Sequence, residues 1–176
     1  MFAMPAEARE ADFIALFDYW RRQAPSGRLP GRQHLDPIDM PRHLLPRVML
    51  FDVERAFDRV LFRVRLTGTK IVELLGCEPR GVLLHQLGLA EAGSLAATLD
   101  AATALAAPVV YSAPFVPARG RRLWARRLGL PLARDGRTVD MVLGIYALRD
   151  AALAGPSGLV VFQRRDAMPP RLSAVG

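Results

Sequence analysis

The chain has 176 residues, of which 51% are hydrophobic and 23% charged. That length suits one domain with a sizeable core and is short for two, and the composition excludes a disordered or fibrous chain. The apolar runs fall well short of the roughly 18 residues that a membrane span requires. The formal net charge is +7, and because Lys70 is the only lysine the excess is carried by arginine. A basic balance raises nucleic acid or an anionic surface as partners, and it fits equally an arginine-rich usage with no partner behind it. The single cysteine, Cys77, excludes an internal disulfide framework and any multi-cysteine zinc site. Residues Met1 to Glu10 lack the apolar stretch of a secretory signal, so the expected location is the cytoplasm.

The first periodic segment, Ala6 to Gln23, predicts a long amphipathic helix with Phe13, Ile14, Leu16, Phe17 and Trp20 on one face, ended by Pro25-Ser26-Gly27. Two covers are open to that aromatic face: the body of the same domain, or the same helix of a second subunit. Phe13, Phe17 and Trp20 are therefore the candidate dimerisation residues. A proline-punctuated connector follows from Leu29 to Pro41, in which Asp36-Pro37-Ile38-Asp39 has the chemistry of a helix N-terminus. A short helical turn then carries Leu44 and Leu45 inward.

From Pro46 the period changes to two. Pro46 to Val53 and Arg59 to Thr67 read as strands joined by Glu54 to Asp58, and the second sets Val60, Phe62, Val64 and Leu66 against Leu61, Arg63, Arg65 and Thr67. One buried face in an antiparallel sheet is the expected setting. Thr67-Gly68-Thr69 opens a short helix closed by Gly76. Leu83 to Leu89 is ambiguous, and Ala90 to Ala107 is an alanine-rich helix stopped by Pro108. Val109 to Pro117, Arg121 to Ala133 and Thr138 to Leu148 read as three further strands, with turns at Arg119-Gly120 and Asp135-Gly136. Leu159 to Phe162 is a last apolar segment before a flexible tail.

Two strands, a block of helices and three strands make the order of a PAS domain. Asp18-Tyr19-Trp20, Gly27-Arg28-Leu29-Pro30, Asp36-Pro37-Ile38-Asp39-Met40-Pro41, Leu44-Leu45-Pro46, Arg65-Leu66-Thr67-Gly68-Thr69, Leu130-Pro131-Leu132 and Asp135-Gly136 together resemble a bacterial PAS-like family, over residues 13 to 148. The resemblance implies an α+β fold: a five-stranded antiparallel sheet, helices over one face, and a pocket for a small molecule. It divides the chain into an N-terminal helical arm at 1–28, a PAS-like domain at 29–163 and a tail at 164–176. It also implies a sensory or dimerisation role. With no kinase, cyclase or helix-turn-helix pattern outside that region, a signal is expected to pass through a homodimer or a separate signalling protein.

Catalytic chemistry is sparse. His34, His43 and His85 lack metal-ligand spacing, and there is no phosphate loop, HExxH or GxSxG. A non-catalytic protein with no metal site is expected. Cys77 lies in Gly-Cys-Glu-Pro, unlike the reactive-cysteine motif of flavin photosensors, and His85 is a weak haem ligand, so the cofactor is unknown.

Strand parity gives the candidate ligand site. If alternation is unbroken, Arg122, Trp124, Arg126, Leu128, Leu130 and Leu132 share one side, and this leucine side is expected to face the pocket. Trp124 and Arg126 then offer a flat apolar surface and a bidentate cation, with Tyr111, Phe62, Val64 and Met141 as further wall. Arg65, on the other face, is expected to pair with Asp36 or Asp39. The arginines from Arg119 to Arg127 read as a solvated hairpin; nucleic acid is an unfavoured partner because only Trp124 interleaves with them. The leading expectation is a sensory or regulatory module that binds a small organic ligand. The alternatives are a ligand-free interaction module and a basic nucleic-acid-associated regulator.

Overall fold

The structure, a computed structural model, describes residues 2–88, 92–117 and 120–164. Its elements in chain order are β1 (Phe2–Ala3), α1 (Ala11–Arg22), β2 (Val48–Ala56), β3 (Arg59–Thr67), α2 (Thr69–Leu75), α3 (Ala92–Leu105), β4 (Val109–Phe115), β5 (Leu123–Leu132), β6 (Met141–Asp150), β7 (Gly158–Val161) and β8 (Gln163–Arg164). Six strands form an antiparallel sheet in the order β3-β2-β6-β5-β4-β7, and β1 pairs with β8 beside it. The expected five strands are present. The sixth, β7, takes in the apolar segment from Leu159 to Val161, and pairs with the outer edge of β4.

Local chemistry accounts for most boundaries. Pro46 sits in a 3-10 turn at Leu45–Arg47, so β2 begins only at Val48. The strand then runs beyond Val53 to Ala56, leaving Phe57-Asp58 as the hairpin turn, with Phe57 in the left-handed region at φ 52°. Gly76 ends α2 at φ 71°, donating its N–H to the Val72 carbonyl. The Ala6–Gln23 segment is broken: a 3-10 turn at Ala6–Ala8 precedes α1. Asp36 caps a turn and no helix, its Oδ1 accepting from the Ile38 N–H at 2.9 Å. The turn residue Arg119 and the helix residues Ala90 and Glu91 lie outside the described residues.

Both faces of the sheet are covered, which makes three layers. On the inner face α3 rests on Gly129 of β5: a Cβ there would stand 3.2 Å from Thr98 Cγ2. The outer face is closed by α1 and the connector. The indole Nε1 of Trp20 donates to the Pro131 carbonyl of β5 at 2.9 Å, and the hydroxyl of Tyr19 donates to the Asp36 carbonyl of the connector at 2.8 Å. Two backbone bonds, Leu29 N–H to Gly136 O and Ala133 N–H to Pro30 O, tie the start of the connector to the β5–β6 turn.

This arrangement corrects the reading of α1 as an arm. Phe13, Phe17 and Trp20 are buried in the chain's own core. Phe17 stacks on Trp20 at 5.9 Å and meets Phe162 edge-on at 5.1 Å, while Phe2 lies 6.0 Å from Trp20. These rings have no surface left for a second subunit. Of the expected face only Ile14 is exposed, and Tyr19 takes a buried place instead.

Truncating Phe17 or Trp20 to Ala removes a filled core position and is expected to cost about 3–5 kcal/mol of stability. Urea denaturation should show this loss, and sedimentation of the folded fraction should show no change of oligomeric state.

Candidate functional site

The sheet register decides which predicted residues meet. Directly paired residues share a face, so Leu128 and Leu130 stand with Ile145 and Leu143, and with Val48 and Leu50. This row lies under α1 and the connector. The leucine side of β5 therefore faces α1 and the connector and not α3, and Trp124, Arg126 and Met141 go with it. Tyr111 pairs with Arg127, and Phe62 and Val64 pair with Val53 and Phe51, all on the inner face toward α3. The six residues expected to line one pocket are split between two sides of the sheet.

A β-bulge adds to the split. Leu50 pairs with Leu66, but Phe51 pairs with Val64, so Arg65 is the extra residue of β3. The alternation breaks there, and Leu66 turns to the outer face while Phe62 and Val64 keep the inner one. Arg65 pairs with Asp52, at 3.3 Å, and with neither Asp36 nor Asp39.

Trp124 and Arg126 do share a cavity, of about 460 Å³, with Ser112, Arg149, Glu7 and Leu159. Arg126 is committed there. Its Nη1 donates to Glu10 at 2.8 Å, its Nε donates to Ser112 Oγ at 3.3 Å, and its Nη2 donates to the Glu7 carbonyl. Arg149 reaches the same Glu10 oxygen at 3.0 Å. Arg126 thus holds the segment before α1 against the sheet. Arg121, which pairs with Asp150 at 2.6 Å, and Arg122 are exposed while Arg127 is buried, so the described part of the arginine cluster is solvated only at its start.

A more apolar pocket lies elsewhere on the outer face, with a volume of about 400 Å³. Leu50, Leu66, Leu143 and Val48 form its floor, Tyr19 one wall, and Leu35, Pro37 and Met40 of the connector its roof. Leu45, Pro46 and Thr67-Gly68-Thr69 close one end, and Arg32 and Arg80 also line it. Gly68 is fixed by close approach: a Cβ there would lie 2.4 Å from the carbonyl carbon and oxygen of Pro46. Its N–H donates to the Val48 carbonyl at 2.8 Å. The Tyr19 phenol has its pKa raised above the ordinary 10.0, first by burial and then by the negative charges of Asp39 and Asp36. Arg32 is occupied in part by the Leu35 carbonyl, to which its Nη1 donates at 2.7 Å.

Parity reasoning missed Tyr19, Leu50 and Leu66 as pocket residues. The signal that could have found them was present: the pocket is built from the same connector and Leu-Thr-Gly-Thr residues that carried the resemblance. A family model for the PAS domain matches residues 9–147. The chain belongs to the PAS domain family. The matched region begins before α1, so the helix that closes the outer face is part of the PAS domain unit. None of the curated proteins compared with this PAS protein matches it. Among the described residues no group of His, Cys, Asp and Glu could hold a metal ion, and no helix is long and apolar enough to cross a membrane.

Two outcomes are expected. Gly68→Ala forces the Pro46 backbone away and should cost about 3 kcal/mol in urea denaturation. Tyr19→Phe should remove one phenol that ionises above pH 10.0 from an ultraviolet alkaline titration. Because the folded phenol is the weaker acid, its contribution is complete below the unfolded value and is lost as pH rises through the folded one. At neutral pH the variant should lose about 1 kcal/mol with the hydrogen bond.

Proposed function

We propose that this PAS protein is a non-catalytic cytoplasmic sensory or regulatory module whose ligand is a small, largely apolar organic molecule held between the connector and the outer sheet face. The observation that carries the reading is the pocket of about 400 Å³ with leucine floor and Pro/Met roof, whose volume lies in the roughly 300–1,000 Å³ range of ligand sites. Burying an apolar ligand against these side chains supplies about 25 cal/mol per Å² of apolar surface removed from water. Arg80, on the pocket wall, would favour a ligand with an acceptor at one end.

The connector is the element such a ligand would bias. It joins α1 to β2 without an α-helix of its own, and it is held by turns and a few side-chain bonds. Pro37 and Met40 face the pocket while Ile38 between them is 83% exposed. A ligand that prefers one placement of this roof shifts the population toward it by the difference in affinity, and Ile38 would report the change at the surface. The exposed Phe57 at the tip of the β2–β3 hairpin is a second apolar contact for a homodimer or a separate signalling protein. The buried aromatic face of α1 is not that contact.

The test combines native mass spectrometry of gently purified protein with thermal denaturation across a library of apolar metabolites. A bound small molecule, or a saturable rise in Tm, supports the reading. Leu66→Trp should fill the pocket from its floor and abolish either signal while the variant remains folded. No bound mass and no stabilising compound would sink the ligand reading and leave a ligand-free interaction module.

A further inference from the structure

The inner face of the sheet holds a buried charged side chain with no hydrogen-bond partner among the described residues. Arg127 is 1% exposed, and its Nε, Nη1 and Nη2 are all buried without a hydrogen-bond partner among those residues. Its guanidinium carbon lies 5.0 Å from the ring centroid of Tyr146 and 6.0 Å from that of Phe115. The two rings meet each other edge-on at 6.2 Å. In the row between Arg127 and Phe115, β4 and β5 carry the small residues Ala113 and Ala125, and β6 carries Leu148. Attraction to two aromatic faces offsets only part of the cost of removing a guanidinium from water. The five N–H donors still need an acceptor.

Tyr146 also lines a cleft of about 370 Å³ between α2 and β6, together with Arg47, Lys70, Ile71, Leu74 and Leu148. Glu73 is the one carboxylate of that lining, and Arg47 is engaged by Asp12 at 2.5 Å. The Tyr146 ring thus borders both this cleft, where Lys70 and Glu73 offset each other, and a buried cation with no hydrogen-bond partner among the described residues. We propose that Arg127 is the receptor for the carboxylate of a small organic monoacid, which enters between α2 and β6 and takes the place of the Tyr146 ring against the guanidinium. The planar fork of arginine matches a carboxylate through two parallel hydrogen bonds. One cation balances one negative charge, whereas a doubly charged phosphate would bring an uncompensated charge into an apolar site. Phe115, Tyr146 and the two alanines would receive an apolar body. This site is on the opposite side of the sheet from the pocket proposed above and does not depend on it.

Thermal unfolding of the full chain with sodium benzoate, its neutral counterpart benzamide, and sodium phosphate at matched ionic strength tests the assignment. Benzoate at millimolar concentration should raise Tm in a saturable way, while benzamide and phosphate should not. Arg127→Met should abolish the response and should still fold, because an apolar side chain of similar length replaces an unpaired charge. Arg127→Lys, which keeps the charge and loses the fork, should respond several-fold more weakly, and it decides the matter if the Met variant does not fold. Leu66→Trp, which fills only the outer pocket, should respond as the wild type does. The absence of a benzoate response, an equal response to phosphate or benzamide, an undiminished response in Arg127→Met or Arg127→Lys, or its loss in Leu66→Trp would overturn the assignment.

Discussion

Two neighbouring aromatic residues hold the outer layer of this protein in place. Trp20 and Tyr19 lie side by side in α1, and each donates a hydrogen bond to a backbone carbonyl of a different element, Pro131 of β5 and Asp36 of the connector. Both residues are buried, so each bond replaces water that is no longer available, and losing either donor would strand a buried acceptor. The indole fixes α1 on the sheet, and the phenol fixes the connector on α1. The pocket beneath the connector has for one wall the same Tyr19 that makes the second attachment.

The second constraint is that both faces of the sheet are buried. A sheet with one wet face reveals its orientation through alternating polarity. Here β5 is buried along nearly its whole length, and two consecutive arginines point to opposite sides. Arg126 meets a carboxylate brought by the segment before α1, and its charge serves to anchor the N-terminal region. Arg127 has no hydrogen-bond partner for its guanidinium among the described residues. The same residue type is therefore a structural clamp on one face and a buried cation without a hydrogen-bond partner among the described residues on the other. The difference comes from what packs against each face, not from the strand.

For a PAS domain this layout gives two chemically distinct sides. The outer pocket is apolar, roofed by a segment of turns, and continuous with an exposed Ile38 that a partner could read. The inner site is cationic and aromatic, sealed by Tyr146. A module built this way could respond to two classes of small molecule through one sheet, since β5 and β6 contribute residues to both sides. Coupling between them would need no more than a small change in the twist or spacing of those central strands, transmitted by packed side chains that cannot deform freely.

Much of the fold was legible in the residues. Arg59 to Thr67 as a strand, a short helix ended at Gly76, the helix before Pro108 and the turn at Asp135-Gly136 all follow from local chemistry: a period of two, a left-handed glycine, a proline stop. The motifs of the connector marked the family and, in retrospect, the pocket. What local chemistry could not decide was which face of a doubly covered strand looks where, and on that point the parity argument placed Trp124, Arg126 and Met141 wrongly together with Tyr111, Phe62 and Val64. One extra residue, Arg65, reversed the alternation of β3 and sent Leu66 to the outer face. The sequence also left open whether the aromatic face of α1 met its own domain or a second one. Composition, periodicity and turn chemistry by themselves determined the elements and their order, because those depend on neighbours a few residues apart. The faces, the pocket and the contrast between Arg126 and Arg127 were decided by tertiary structure alone, because they depend on which distant segments arrive to cover each side of the sheet.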